Sequence, residues 1–137
     1  MPETMSYSGS CHCGAVAYEA DIDLAAGTTR CNCTYCRKTR NWGVRADPAT
    51  FRVTKGEPAA YRTDGTAAYE AANLFCPACG VRLFARGNIP EMGGLFVTVA
   101  VATLDDVPVE ELIAAPVTWC DGLHDNWWNP PDEVRHL

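Results

Sequence analysis

Cys11-His12-Cys13, Cys31-Asn32-Cys33-Thr34-Tyr35-Cys36 and Cys76-Pro77-Ala78-Cys79 set seven of the chain's eight cysteines one or two residues from another, and leave Cys120 alone. Sulfurs at that spacing converge readily on one ion, whereas such close neighbours rarely reach the geometry of an unstrained disulfide. Eight cysteines in 137 residues are too many for a reduced chain unless something uses the thiols, and metal is the first candidate. A disulfide framework would need an exported chain. The start, Met1-Pro2-Glu3-Thr4-Met5-Ser6-Tyr7, has neither the basic end nor the apolar run of an export signal, so a reducing, cytoplasmic location is the expectation.

These cysteines need turns and strands to hold them. Ser8-Gly9-Ser10 leads into the first set after a loose polar start over residues 1–8. Residues 15–20 read as a strand, and Ala25-Ala26-Gly27-Thr28-Thr29 turns the chain back toward the second set. Good helix formers over residues 33–40 predict a short helix there. Residues 51–54, 61–63 and 67–71 alternate with turn chemistry at Lys55-Gly56-Glu57-Pro58 and Asp64-Gly65, the rhythm of antiparallel strands. Leu74-Phe75 and Val81-Arg82-Leu83-Phe84 predict a hairpin whose turn is the Cys76–Cys79 motif itself. Gly80 behind it can take positive φ, so that turn N–H groups face the thiolates. Residues 95–101 form the strongest strand and are predicted central. A helical turn follows within 105–112, then a last strand at 117–120, and Trp127-Trp128-Asn129-Pro130-Pro131 is expected to pack on the body.

Composition narrows the function classes. A chain of 137 residues is one domain's worth, with 11 Lys plus Arg against 17 Asp plus Glu, a formal charge of −6. Binding to a phosphate backbone depends on cation excess, so a nucleic-acid partner is not expected. The longest apolar stretches, such as residues 94–104, are too short and too broken to span a bilayer, so no membrane partner is expected either. Spacing alone leaves the metal pairing open, because Cys11 and Cys13 could join Cys31 and Cys33 as readily as Cys76 and Cys79.

Gly9-Ser10-Cys11-His12-Cys13-Gly14-Ala15-Val16, Cys31-Asn32-Cys33-Thr34-Tyr35-Cys36-Arg37-Lys38 and Phe75-Cys76-Pro77-Ala78-Cys79-Gly80 come in the order found in the glutathione-dependent formaldehyde-activating enzyme family, also called centromere-protein-V-like. The chain resembles that family over residues 9–123, with further similarity at Val53-Thr54-Lys55-Gly56 and at Trp119 with Asp121-Gly122-Leu123. The resemblance implies a mainly β fold, a β-tent of antiparallel sheets of the Mss4-like kind with a short helix, stabilised by zinc. Residues 1–8 would then be a flexible N-terminus, 9–123 the zinc-binding domain, and 124–137 a C-terminal extension packed on it. It also implies a structural zinc on Cys11, Cys13, Cys76 and Cys79, and a catalytic zinc on Cys31, Cys33 and Cys36. One departure stands out: where the family usually continues with small residues after the second motif, this chain has Thr39-Arg40-Asn41-Trp42-Gly43.

Four thiolates close a zinc site, whereas three leave a coordination position for water or substrate. Three thiolates also leave the zinc site net negative, hence a weaker Lewis acid and a poorer generator of hydroxide than a histidine site. Such a site suits a thiol, held as thiolate and still nucleophilic enough to attack a small electrophile. The implied activity is that of a carbon–sulfur lyase, condensing glutathione or a similar thiol with formaldehyde. Two readings compete: Cys120 as a fourth ligand that closes the second site, and a second site that is empty or oxidised. A non-catalytic zinc module that binds a thiol or a protein partner is the alternative function. Arg37, Lys38 and Arg40, with Arg45, are candidate contacts for a thiol bearing carboxylates, against a solvated helix face as the plainer reading. His12 is expected to point away from the metal, and His124 and His136 to be surface residues. A zinc deaminase would need a Glu two residues after a ligand and a Pro directly before the Cys-x-x-Cys motif, and Ala15 and Phe75 stand there. Trp42, Trp119, Trp127 and Trp128 are expected in the aromatic core rather than around a pocket.

Overall fold

In β2 (Ala17–Ile22) every second side chain, Tyr18, Ala20 and Ile22, is buried, the period of a strand with one face on a core. The computed structural model describes residues 4–62 and 71–137. Among them β2 is flanked by β1 (Met5–Ser10) and β4 (Gly43–Ala46), and also pairs with β5 (Arg52–Lys55). Beyond β4 the order runs through β9 (Gly94–Ala100), β8 (Arg82–Ile89) and β7 (Ala72–Phe75) to β6 (Ala59–Tyr61). The strand predicted to be central, β9, lies between β4 and β8, with Phe96, Val97, Val99 and Ala100 buried. Tyr18, Ile22, Leu83, Phe84, Val16, Val99 and Val101 form the deepest core, where Phe51 rests against Phe84 at 4.7 Å between ring centroids.

β3 (Thr28–Cys31) leads into α1 (Thr34–Thr39), the predicted short helix, and α2 (Val109–Ala114) precedes β10 (Val117–Cys120). β10 runs parallel to β3 and sets Cys120 directly opposite Cys31, the one parallel pairing among antiparallel ladders of the described residues. The fold is therefore mainly antiparallel β with short helices, as the family resemblance implies.

Three expectations need correction or restriction. Residues 1–8 are not a loose start throughout: β1 begins at Met5 and pairs with β2 from Met5↔Ile22 to Ser10↔Ala17. The segment is polar in composition, but Tyr7 and Gly9 alternate inward. The Tyr7 hydroxyl donates to Glu111 at 3.1 Å, and a β-carbon at Gly9 would overlap the ring of Tyr18. Of the tryptophans expected in the core, Trp128 is 91% exposed and Trp127 is exposed too, while Trp42 packs against the core and donates Nε1–H to Thr28 Oγ1 at 2.8 Å. The strand expected over 67–71 and the Asp64-Gly65 turn fall, but for Ala71, outside the described residues. No helix among the described residues is long and apolar enough to cross a membrane.

Candidate functional site

Two hairpin turns of the same build carry the first set of thiols. Cys11 N–H donates to Val16 carbonyl at 3.1 Å and Cys76 N–H to Val81 carbonyl at 3.0 Å, each closing a turn over the same span. The glycine behind each, Gly14 and Gly80, sits at φ +79, a left-handed conformation that side chains with a β-carbon resist. The turns aim N–H groups at sulfur: Val16 at Cys11 Sγ (3.3 Å), Ala78 and Cys79 at Cys76 Sγ (3.3 and 3.4 Å). Zinc–sulfur bonds of about 2.3 Å in a tetrahedron demand sulfur–sulfur edges of about 3.8 Å. Cys11 and Cys13 sulfurs lie 3.7 Å apart and Cys13 and Cys76 sulfurs 3.6 Å, with all four, Cys79 included, within 4.8 Å of one another. Donor type and spacing both fit zinc. Backbone N–H groups of Cys13 and Val81 bring the Cys79 thiol down to about 6. Cys13 feels the opposite: the Ala15 N–H acts to lower it, but the hydrogen bond with Cys76 and burial prevail and it is pushed up to about 11.

The second set occupies the end of β3 and the start of α1. Cys31, Cys33 and Cys36 bring their sulfurs within 4.8 Å of one another, and Cys120 is not part of the group. Cys33 is the N-cap of α1 and its sulfur accepts the Cys36 N–H at 3.4 Å, while Cys31 Sγ accepts the Cys33 N–H at 3.4 Å. Hydrogen bonds from Cys33 and Cys36 hold the Cys31 thiol far below the ordinary range, and the same contacts push Cys36 far above it. A divalent ion bound among the three sulfurs would displace whatever protons they keep. Burial, and then the Cys31 charge, raise the Cys120 thiol.

A second layer fixes this loop from the far end of the sequence. Asn32 is buried between Cys31 and Cys33, donating Nδ2–H to Asp121 Oδ1 at 2.8 Å and accepting the Leu123 N–H at 3.0 Å. Asp121 also meets His124 Nδ1 at 2.8 Å, and the Asn32 amide, with His124 after it, holds its carboxyl below the usual range. Residue 122 must be glycine for steric reasons: a β-carbon there would stand 2.6 Å from Cys31 Sγ and 2.5 Å from Trp127.

The basic residues expected around the second set divide. Arg37, Lys38 and Arg40 are exposed on α1 and just after it, and Arg40 donates to the His136 carbonyl at 3.3 Å. Arg45 lies over the Phe96 ring at 5.8 Å instead. His12 is exposed and outside both thiol groups. Sequence reasoning missed Asn41, whose Nδ2 approaches Cys36 Sγ at 3.8 Å, and Arg82, which donates to Asn41 Oδ1 at 2.6 Å. It also missed Asn32. The available signals were a polar residue between two ligands at Asn32, and Asn41 at the departure from the family's small residues. Cavities of about 260 Å³ beside Phe51 and Arg86 and about 200 Å³ beside Tyr7 and Leu24 lie on other parts of the surface.

Comparison with known proteins follows the same lines. A family model described as glutathione-dependent formaldehyde-activating enzyme matches residues 6–121. The crystal structure of a Rhodobacter sphaeroides protein from a structural genomics programme is similar to this one, with a TM-score of 0.65 and 30% sequence identity. That similarity covers 81% of this chain and 99% of the other.

Proposed function

Since this chain belongs to the glutathione-dependent formaldehyde-activating enzyme family, we propose that it is a zinc-dependent enzyme of the carbon–sulfur lyase type, condensing glutathione or a similar thiol with formaldehyde. The observation that supports this reading is the unequal grouping of thiols: four sulfurs in one set, three in the other, with Cys120 outside both. In this reading Cys11, Cys13, Cys76 and Cys79 hold a closed structural zinc, and Cys31, Cys33 and Cys36 hold the second with one coordination position left for substrate. A zinc bound there supplies a place where an incoming thiol loses its proton near neutral pH while its sulfur stays nucleophilic.

The chain's own residues do the remainder. Cys33 and Cys36 N–H groups and the Asn41 amide neutralise part of the thiolate charge. Asn32, Asp121 and Gly122 fix the Cys31 sulfur against the C-terminal turn, which would hold the place offered to an incoming thiol in a set position. The new carbon–sulfur bond forms as the carbonyl π bond breaks, and the oxygen takes a proton from solvent. A reducing compartment, for which we propose the cytoplasm, keeps the eight free thiols reduced.

Exchange spectroscopy of glutathione and formaldehyde tests the reading, because the adduct forms and decays measurably without catalyst. The zinc protein should speed interconversion in proportion to its concentration, and Cys33→Ser should not. If the wild type leaves the exchange rate unchanged while glutathione shifts the thiolate-to-metal absorption of the cobalt-substituted protein, the chain is a thiol-binding zinc module and not a lyase.

A further inference from the structure

Arg82 opens β8 three residues after Cys79. A register shift between Leu74 and Phe75 pairs Phe75 with Arg82, sends both Leu83 and Phe84 into the core, and turns Arg82 onto the face that carries Asn73. There Arg82 Nε and Nη2 donate to Asn73 Oδ1 at 3.2 and 2.9 Å, and Nη1 donates to Asn41 Oδ1 at 2.6 Å. Asn41 in turn points Nδ2 at Cys36 Sγ, 3.8 Å away, so a single amide joins the guanidinium to the three-thiol group. Tyr35, on the turn of α1 between Cys33 and Cys36, places its ring 5.7 Å from the guanidinium carbon and stacks on Tyr61 with centroids 5.8 Å apart.

Every partner of this half-buried cation among the described residues is neutral: two amides and the Tyr35 phenol. Arg52 and Arg135, by contrast, pair with carboxylates on the surface. A guanidinium offers five N–H donors in a rigid fork, and the three amide bonds use one on each nitrogen. One N–H on Nη1 and one on Nη2 remain for the phenol and a ligand. A pre-fixed guanidinium whose charge is not neutralised and which keeps one N–H free is suited to a single charge-assisted bond to a carboxylate oxygen. Reach agrees: standard bond lengths put the guanidinium at most about 9 Å from the Cys36 sulfur, and an extended peptide thiol separates its sulfur from the next residue's carboxylate by about 8 Å. Arg37, Lys38 and Arg40 sit on the exposed side of α1 and have no such scaffold.

We propose that Arg82 binds a carboxylate of the thiol substrate and so selects peptide-like thiols over simple ones, an inference that rests on the thiol reading above. Calorimetric titration of the two-zinc protein with glutathione, glutathione diethyl ester and S-methylglutathione tests it. The ester should bind about ten- to a hundredfold more weakly than glutathione. Arg82→Gln should bring glutathione down to the level of the ester and leave the ester unchanged. Equal binding of acid and ester by the wild type, or undiminished glutathione binding by a folded Arg82→Gln protein, overturns the proposal. Should Arg82→Gln melt early or lose metal, Arg82→Lys decides instead: a charge without the three amide bonds that fix it should restore only part of the preference for acid over ester, and full preference overturns the proposal. S-methylglutathione separates the two claims, because binding equal to that of glutathione ends the thiol reading while the carboxylate preference stands or falls by itself.

Discussion

Asn32 and Asp121, 89 positions apart, are joined by a 2.8 Å hydrogen bond that ties the loop of the three-thiol group to the turn after the last strand. The Asn32 amide is buried, so removing its acceptor leaves a buried N–H without its partner. Asp121→Ala should therefore cost about 1–3 kcal/mol of stability. It should also weaken metal binding at one site only, measured by chelator competition. An Asp121→Ala protein with both metals held as in the wild type would show that the turn does not position the loop.

Cys79→Ser should remove one metal and lower stability by several kcal/mol, because its partners Cys11 and Cys13 lie at the other end of a long loop and binding there is coupled to folding. Thermal melting with metal analysis checks this. A Cys79→Ser chain that melts like the wild type contradicts it.

Cys33→Ser should behave differently. Its group spans one short segment and closes no long loop, so loss of that metal should leave most of the melting temperature intact while thiol binding disappears. Unfolding as severe as that of Cys79→Ser would make the second site structural.

Cys120→Ala should leave the metal count at two and the glutathione-induced absorption shift of the cobalt protein unchanged, since Cys120 stands opposite Cys31 on a parallel ladder but outside the three-thiol group. Release of one metal per chain would make Cys120 the fourth ligand.

What was legible in the sequence was local. Cys76-Pro77-Ala78-Cys79-Gly80 announces its turn because the glycine conformation, the N–H groups and the sulfurs all belong to neighbouring residues. The run around Phe96 to Val101 announces a buried strand by its own apolar density. Arg82 was not legible, because its direction depends on an extra residue, Leu83, in its own strand opposite the Leu74–Phe75 step, and its partner Asn41 lies 41 positions away. Strand β1 hid behind a polar composition whose two buried positions, Tyr7 and Gly9, have meaning only once Tyr18 and Glu111 are in place. The parallel pairing of β10 with β3 is likewise a property of topology that no local pattern encodes.

The separation of Cys13 from Cys76 by 63 positions has a kinetic consequence. During folding, Cys13 meets Cys31, only 18 positions ahead, far more often, and loop closure favours that wrong chelate by about 1 kcal/mol. A metal that bridges Cys13 and Cys31 early would have to be handed on by thiolate exchange before the two hairpin turns can meet. Refolding in saturating zinc should accordingly run slower than refolding in weakly buffered zinc, where misplaced chelates dissociate, and equal rates would mean that the turns dock before either binds an ion.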